Sequence, residues 1–293
     1  IYMGDWSSDV CSSDLDLSSS VLSRGNNMNR ARWYSGSTVL LNGEVYIQGG
    51  SSGTDRPEVR ALNGTFRLLS GADTSTFDFM YPRNFIAPDG RVFGYDSNGR
   101  MYYVNPAANG TITNVGQFAS SYRASDASAA MFRPGRILQF GGNSNGALVI
   151  DITSGTPVVT PTQSMSSQRR LVNATVLPNG QVLATGGSQV HNQLTGVNNS
   201  AEIWDPTSGT WMRGPDGQRP RLYHSMSLLL PDARVLVGGG GAPGPVANLN
   251  MEVYHPPYLY DATGARATQA RLTSAPAQID IGETLYGDRK SVV

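Results

Sequence analysis

Apolar and polar positions alternate along most of this chain in short runs, each cut by a turn signal, and the spacing of an amphipathic helix is nowhere sustained. One pattern returns five times: STVLLNGEVYIQGG ending at Gly50, NFIAPDGRVFGYD around Gly94, AAMFRPGRILQFGG ending at Gly142, NATVLPNGQVLATGG ending at Gly187, and SLLLPDARVLVGGGG around Gly239. In each, an apolar strand meets a tight turn of the Asn-Gly or Asp-Gly kind, and a Val/Ile/Leu strand follows. Four of the five close on paired glycines, which lets inner strands bend and crowd. Between the hairpins, SAEIWDPTSGTW (Ser200 to Trp211) and NMEVYHPPYLY (Asn250 to Tyr260) read as outer strands. Four strands per unit, at spacings of 44, 48, 45 and 52 residues, predict an all-β, kelch-type β-propeller. The run GGGG at Gly238 to Gly241 follows a strand, but no helix pattern succeeds it, so the dinucleotide fingerprint fails on context.

Composition narrows the partners. Lys and Arg number 22, as do Asp and Glu, and only 15% of residues are charged. Bulk electrostatics therefore gives no reason to expect nucleic acid or an anionic membrane as partner. No run approaches the roughly 20 apolar residues of a membrane span. A single cysteine, Cys11, leaves the redox compartment undecided.

A repeat also allows internal comparison. Tyr34 stands sixteen residues before Gly50, and Tyr223 sixteen before Gly239, each at the entrance to an inner strand. At the same offset from Gly142 and Gly187 lie Asp126 and Leu171, so the blade itself does not require tyrosine there. The two phenols and the adjoining His224 are predicted to converge near the propeller axis. Such nitrogen and oxygen donors suit Cu(II); zinc is less natural without a Cys/His spacing motif. His191, in a polar loop, and His255, before Pro-Pro, are expected to be structural or exposed.

At RWYSGSTVLLNGEVYIQGG and RLYHSMSLLLPDARVLVGGGG the chain resembles the copper-radical oxidases, galactose oxidase and glyoxal oxidase and their bacterial relatives. MYPRNFIAPDGRVFGYD (Met80 to Asp96) resembles the glyoxal-oxidase-like branch. The resemblance runs from about Asn29 to Gly282 and implies about five blades of an expected seven, over 16–268. It further implies that RLTSAPAQIDIG, within 269–287, opens a C-terminal immunoglobulin-like domain. By motif, Tyr34 resembles the family's radical tyrosine, joined in the parent to a cysteine through a thioether. Tyr223 resembles the axial tyrosine, which acts as general base, and His224 one of two histidine ligands. The implied reaction oxidises a small aldehyde or primary alcohol with O2 and releases hydrogen peroxide. The implied protein is a secreted, extracellular monomer. Galactose oxidase carries a tryptophan where this chain has Ser52, which favours a glyoxal-like aldehyde over galactose. Trp33 and Arg83 are candidate substrate-side residues. A non-catalytic kelch propeller that binds a protein or glycan is the competing expectation.

Cys11 invites assignment as the thioether partner, but it lies only 23 residues before Tyr34, with no complete blade between them. Moreover, DWSSDVCSSDL (5–15) is what a common sequencing-library adapter encodes, and DRKSVV (288–293) is the translation of its counterpart. Residues 1–15 and 288–293 are therefore expected to be artefact. On that reading the chain is a fragment lacking the cross-linking cysteine and the second histidine, and is expected to be inactive.

Overall fold

The computed structural model describes residues 11–16, 18–52, 55–241 and 244–268. The expected start of a C-terminal domain, residues 1–10 and residues 288–293 lie outside the described residues. Cys11–Asp16 and Val21–Asn27 pair as an antiparallel two-stranded sheet, separate from the sheets that follow.

Five consecutive antiparallel sheets follow in sequence order, as the hairpin repeat predicts. The first blade runs through Trp33–Val39, Val45–Ser51, Glu58–Arg60 and Phe66–Leu68. The second uses Arg83–Ile86, Val92–Tyr95, Arg100–Asn105 and Thr111–Gln117. The third uses Ser128–Arg133, Arg136–Phe140, Ala147–Asp151 and Val158–Thr162. The fourth is Asn173–Val176, Val182–Thr185, Ser200–Asp205 and Thr210–Asp216. The fifth has three strands among the described residues, Ser225–Leu229, Val235–Gly239 and Met251–Tyr254. Each blade is a simple meander, and the first strands of the first and second, third and fourth, and fourth and fifth blades pack together. This is an all-β propeller.

The core is distributed between blades rather than gathered at one centre. Tyr46 and Val59 of the first blade pack on Val92, Tyr102 and Val104 of the second. Phe93 and Tyr103 meet Ile137, Leu148 and Ile150 of the third. Phe132, Leu138 and Phe140 meet Val182 and Trp204 of the fourth, and Leu183 and Ile203 meet Val235 and Val237 of the fifth. Both faces of a middle strand are thereby covered, which explains why these strands read as continuous apolar runs.

Buried ion pairs repeat with the blades. Arg32 reaches Glu58, Arg169 reaches Glu202 and Arg221 reaches Glu252, at 2.9, 2.6 and 3.0 Å. Each arginine precedes an inner strand and also donates to a carbonyl of the glycine pair, that of Gly49, Gly186 or Gly239. The paired glycines sit at positive φ, and the chain leading into the next blade lies directly against them. A Cβ on Gly49 would fall 2.4 Å from the carbonyl oxygen of Phe79, and one on Gly186 would fall 2.5 Å from that of Arg221. The glycines are therefore the joints between blades.

Those contacts also correct the sequence ruler. Ser35 faces Gly49 across the first hairpin, and Ser225 faces Gly239 across the fifth, so Gly239 corresponds to Gly49, not Gly50. His224, rather than Tyr223, stands at the strand register of Tyr34. One extra residue between Arg221 and its strand, accommodated by a turn in which the Ser225 amide donates to the Leu222 carbonyl, puts Tyr223 beside it. In the second blade Asp96 and Ser97 occupy the places of the paired glycines, and the register there makes Tyr81 the counterpart of Tyr34.

Candidate functional site

The positions where inner strands begin share an unusual backbone. Tyr34, Tyr81, Leu171 and His224 have φ of +70°, +49°, +59° and +62°. A β-carbon in that left-handed region costs free energy, so surrounding contacts must hold it there. The Tyr81 amide donates to the Tyr34 carbonyl at 3.0 Å, and the Leu171 amide to the Asp126 carbonyl at 2.9 Å. Successive blades thus fix one another's entrances.

This backbone gathers the side chains of Tyr34, Tyr81, Tyr223 and His224 around a cavity of about 760 Å³. The phenolic oxygens of Tyr34 and Tyr223, 189 residues apart in sequence, lie 2.5 Å from each other in a hydrogen bond. That bond, with desolvation and the neighbouring phenol adding to it, pushes the Tyr34 pKa up to about 12. Desolvation is the main cause that raises Tyr223. The imidazole of His224 stacks on the Tyr223 ring, centroids 3.8 Å apart at 28°.

Trp33 lies over Tyr34, ring centroids 4.1 Å apart and 20° from parallel, with its outer face half-exposed. It screens the phenol from solvent. Tyr81 is a third phenol that the glycine ruler missed. Its ring centroid is 4.9 Å from that of Tyr34, and its phenol helps to raise the Tyr223 pKa. Burial raises its pKa first of all.

Arg83 borders the same cavity, but its guanidinium is committed to backbone carbonyls. It donates to Tyr81 at 2.6 Å, to Ser125 at 2.8 Å and to Ala127, and so ties the second blade to the third. Burial lowers its pKa, an effect partly countered by surrounding phenol and carboxylate groups. His191 also borders the cavity, with Nδ1 2.8 Å from Asp126. His255 instead meets the Tyr260 hydroxyl at 2.9 Å on the outer side.

Two phenolic oxygens and one imidazole fit Cu(II), which takes nitrogen and oxygen donors. Among the described residues no group of three His, Cys, Asp or Glu gathers, so Tyr34, Tyr223 and His224 constitute the candidate donor set.

No family model matches the chain. It is 28% identical over 288 residues to galactose oxidase of Gibberella zeae, covering 89% of this chain and 41% of that protein. It is 26% identical over 308 residues to an aldehyde oxidase of Arabidopsis thaliana, covering 86% of this chain and 49% of the relative. The chain thus spans about half or less of the length of these relatives. Among solved structures, a fungal alcohol oxidase of the AA5 family in complex with copper superposes with a TM-score of 0.81 at 25% identity, covering 92% of this chain and 63% of that one. By sequence and by fold, the chain is a homologue of the copper-radical oxidases, the group of galactose oxidase and glyoxal oxidase.

Proposed function

We propose that this chain is the axial part of a copper-radical oxidase that oxidises a small, glyoxal-like aldehyde or a primary alcohol with O2 to yield hydrogen peroxide. The 2.5 Å contact between the Tyr34 and Tyr223 hydroxyls carries the reading, because it joins two blades at the one place where a single ion could meet both phenols and His224. Copper would accept one electron of the two-electron oxidation and an oxidised Tyr34 ring the other, both then passing to O2. The chain's own residues do the rest: Trp33 covers the Tyr34 ring, Tyr81 packs against it from the neighbouring blade, and Tyr223 offers its oxygen to a substrate hydroxyl proton. Ser52, where galactose oxidase has a stacking indole, supports a small substrate over a hexose.

With three donors, the chain alone is expected to bind copper weakly and to lack turnover. Copper titration followed by a peroxide-coupled assay with glyoxal, methylglyoxal, galactose and simple alcohols tests both statements. Robust turnover by these 293 residues would overturn the second. Copper binding unaffected by Tyr34→Phe and Tyr223→Phe together would overturn the first.

A further inference from the structure

On the third blade, the axial position held elsewhere by tyrosine, leucine or histidine is filled by Asp126, which is buried. One of its oxygens, Oδ2, accepts both Arg170 Nε at 2.6 Å and His191 Nδ1 at 2.8 Å. The other, Oδ1, is buried without a hydrogen-bond partner among the described residues. A half-satisfied buried carboxylate is costly.

His191 reaches this carboxylate from a loop of the fourth blade, and the loop is shaped to bring it there. The Ser188 hydroxyl donates to the Val190 carbonyl at 2.7 Å, the Gln193 amide to the same carbonyl at 3.2 Å, and the Gln189 amide to the Gly196 carbonyl at 3.1 Å. The next residue, Asn192, stands at φ +49°. The imidazole is half-exposed and borders the cavity that holds Tyr34, Tyr81 and Tyr223. In a neutral ring, an Nδ1–H donating to Asp126 fixes one tautomer. Nε2, on the opposite edge, then presents a lone pair.

We propose that His191 is a substrate-contacting specificity residue that accepts a hydrogen bond from a further hydroxyl of a polyhydroxylated substrate, and that Asp126 is its positioning residue. The proposal rests on the oxidase reading for its place in a reaction, and it favours polyols within the primary-alcohol branch of that reading. A neutral polyol suits the site because its hydroxyl donates where the fixed tautomer accepts. A substrate carboxylate has no proton to donate to that lone pair and would gain no hydrogen bond there.

The test is binding to the full chain, read by nuclear magnetic resonance with xylitol as probe and pentan-1-ol as the same carbon chain with one hydroxyl. Xylitol should perturb the His191 Nε2 resonance, and His191→Ala should weaken xylitol about five- to tenfold, the loss of one neutral hydrogen bond. Pentan-1-ol binding should not change. His191 is half-exposed, so its replacement leaves the core intact. Asp126→Asn should shift the imidazole away from the pure Nδ1–H tautomer, an effect that a merely structural role for Asp126 would not produce. Absence of a xylitol shift at His191, or an equal loss for both probes, overturns the proposal. If xylitol binding depends on His191 while copper binding is unaffected by Tyr34→Phe and Tyr223→Phe together, the proposal stands and the oxidase reading falls. If that double variant loses copper while His191→Ala leaves xylitol binding unchanged, the reverse holds.

Discussion

Replacing Arg169 by methionine should be among the most damaging single changes in the propeller. Its side chain is fully buried, and it donates to Glu202 at 2.6 Å, to Ser200 Oγ at 3.1 Å and to the Gly186 carbonyl at 3.2 Å. Removing it leaves Glu202, itself 2% exposed, without its countercharge. Breaking one side of a buried pair costs about 3–5 kcal/mol. Glu202 keeps the Ser166 amide and hydroxyl, each at 2.9 Å, which places the loss toward the lower end of that range. The two other pairs set a ranking. Glu58 retains the Asn29 amide, the Asn29 side chain and the Arg30 amide when Arg32 is lost, so Arg32→Met should cost less, about 2–3 kcal/mol. Glu252 is 27% exposed and water can replace Arg221, so that loss should be about 1–2 kcal/mol. Urea unfolding gives the midpoint and slope for each variant. The double change Arg169→Met with Glu202→Leu should recover much of the stability, because no charge is then stranded. A loss below about 1 kcal/mol for Arg169→Met, or a double variant no better than the single, would refute the reasoning.

Other expectations follow from the same contacts. Gly186→Ala should destabilise well beyond Gly180→Ala in thermal melts: both have positive φ, but only at Gly186 would the new Cβ strike backbone, the alternative site being open to solvent. Equal melting temperatures would sink the assignment of the paired glycines as joints. Tyr34→Phe should abolish any copper-dependent visible absorption while leaving far-ultraviolet circular dichroism unchanged, since the hydroxyl contributes one hydrogen bond at the cavity and none to the interblade core. Tyr46, Tyr95 and Tyr102 are fully buried, and desolvation holds their pKa values above the phenol norm of about 10. The folded state thus retains protons that the unfolded chain gives up. Their contribution to stability is complete below about pH 10 and declines as pH rises past it. Alkaline unfolding should coincide with a step in tyrosinate absorbance near 295 nm; a step that precedes unfolding would contradict their burial.

Strand positions and blade boundaries were legible because each hairpin carries its own turn chemistry and alternation, which are local signals. The axial residues were only partly so. A ruler laid from paired glycines works while every blade keeps them and the strand entrances have one length. Asp96 and Ser97 break the first condition, which hid Tyr81; the extra residue in Arg221–Ser225 breaks the second, which made Tyr223 look like the register partner of Tyr34. Tyr223 still meets Tyr34 because that residue faces the same cavity. The Asp126–His191 contact spans 65 residues through a loop, and the ion pairs span 26, 33 and 31, so no fixed period announces them. They are products of closure, not of any segment alone.

The left-handed backbone at Tyr34, Tyr81, Leu171 and His224 has an implication for engineering. Three kinds of side chain, tyrosine, leucine and histidine, occupy the same register in four blades, held there by contacts of the main chain. Each of these four blades therefore offers the centre one interchangeable socket of common backbone geometry. A new donor introduced at Leu171 would arrive already aimed, and the reactivity of such a centre can be rewritten one socket at a time without redesigning the wheel that carries it.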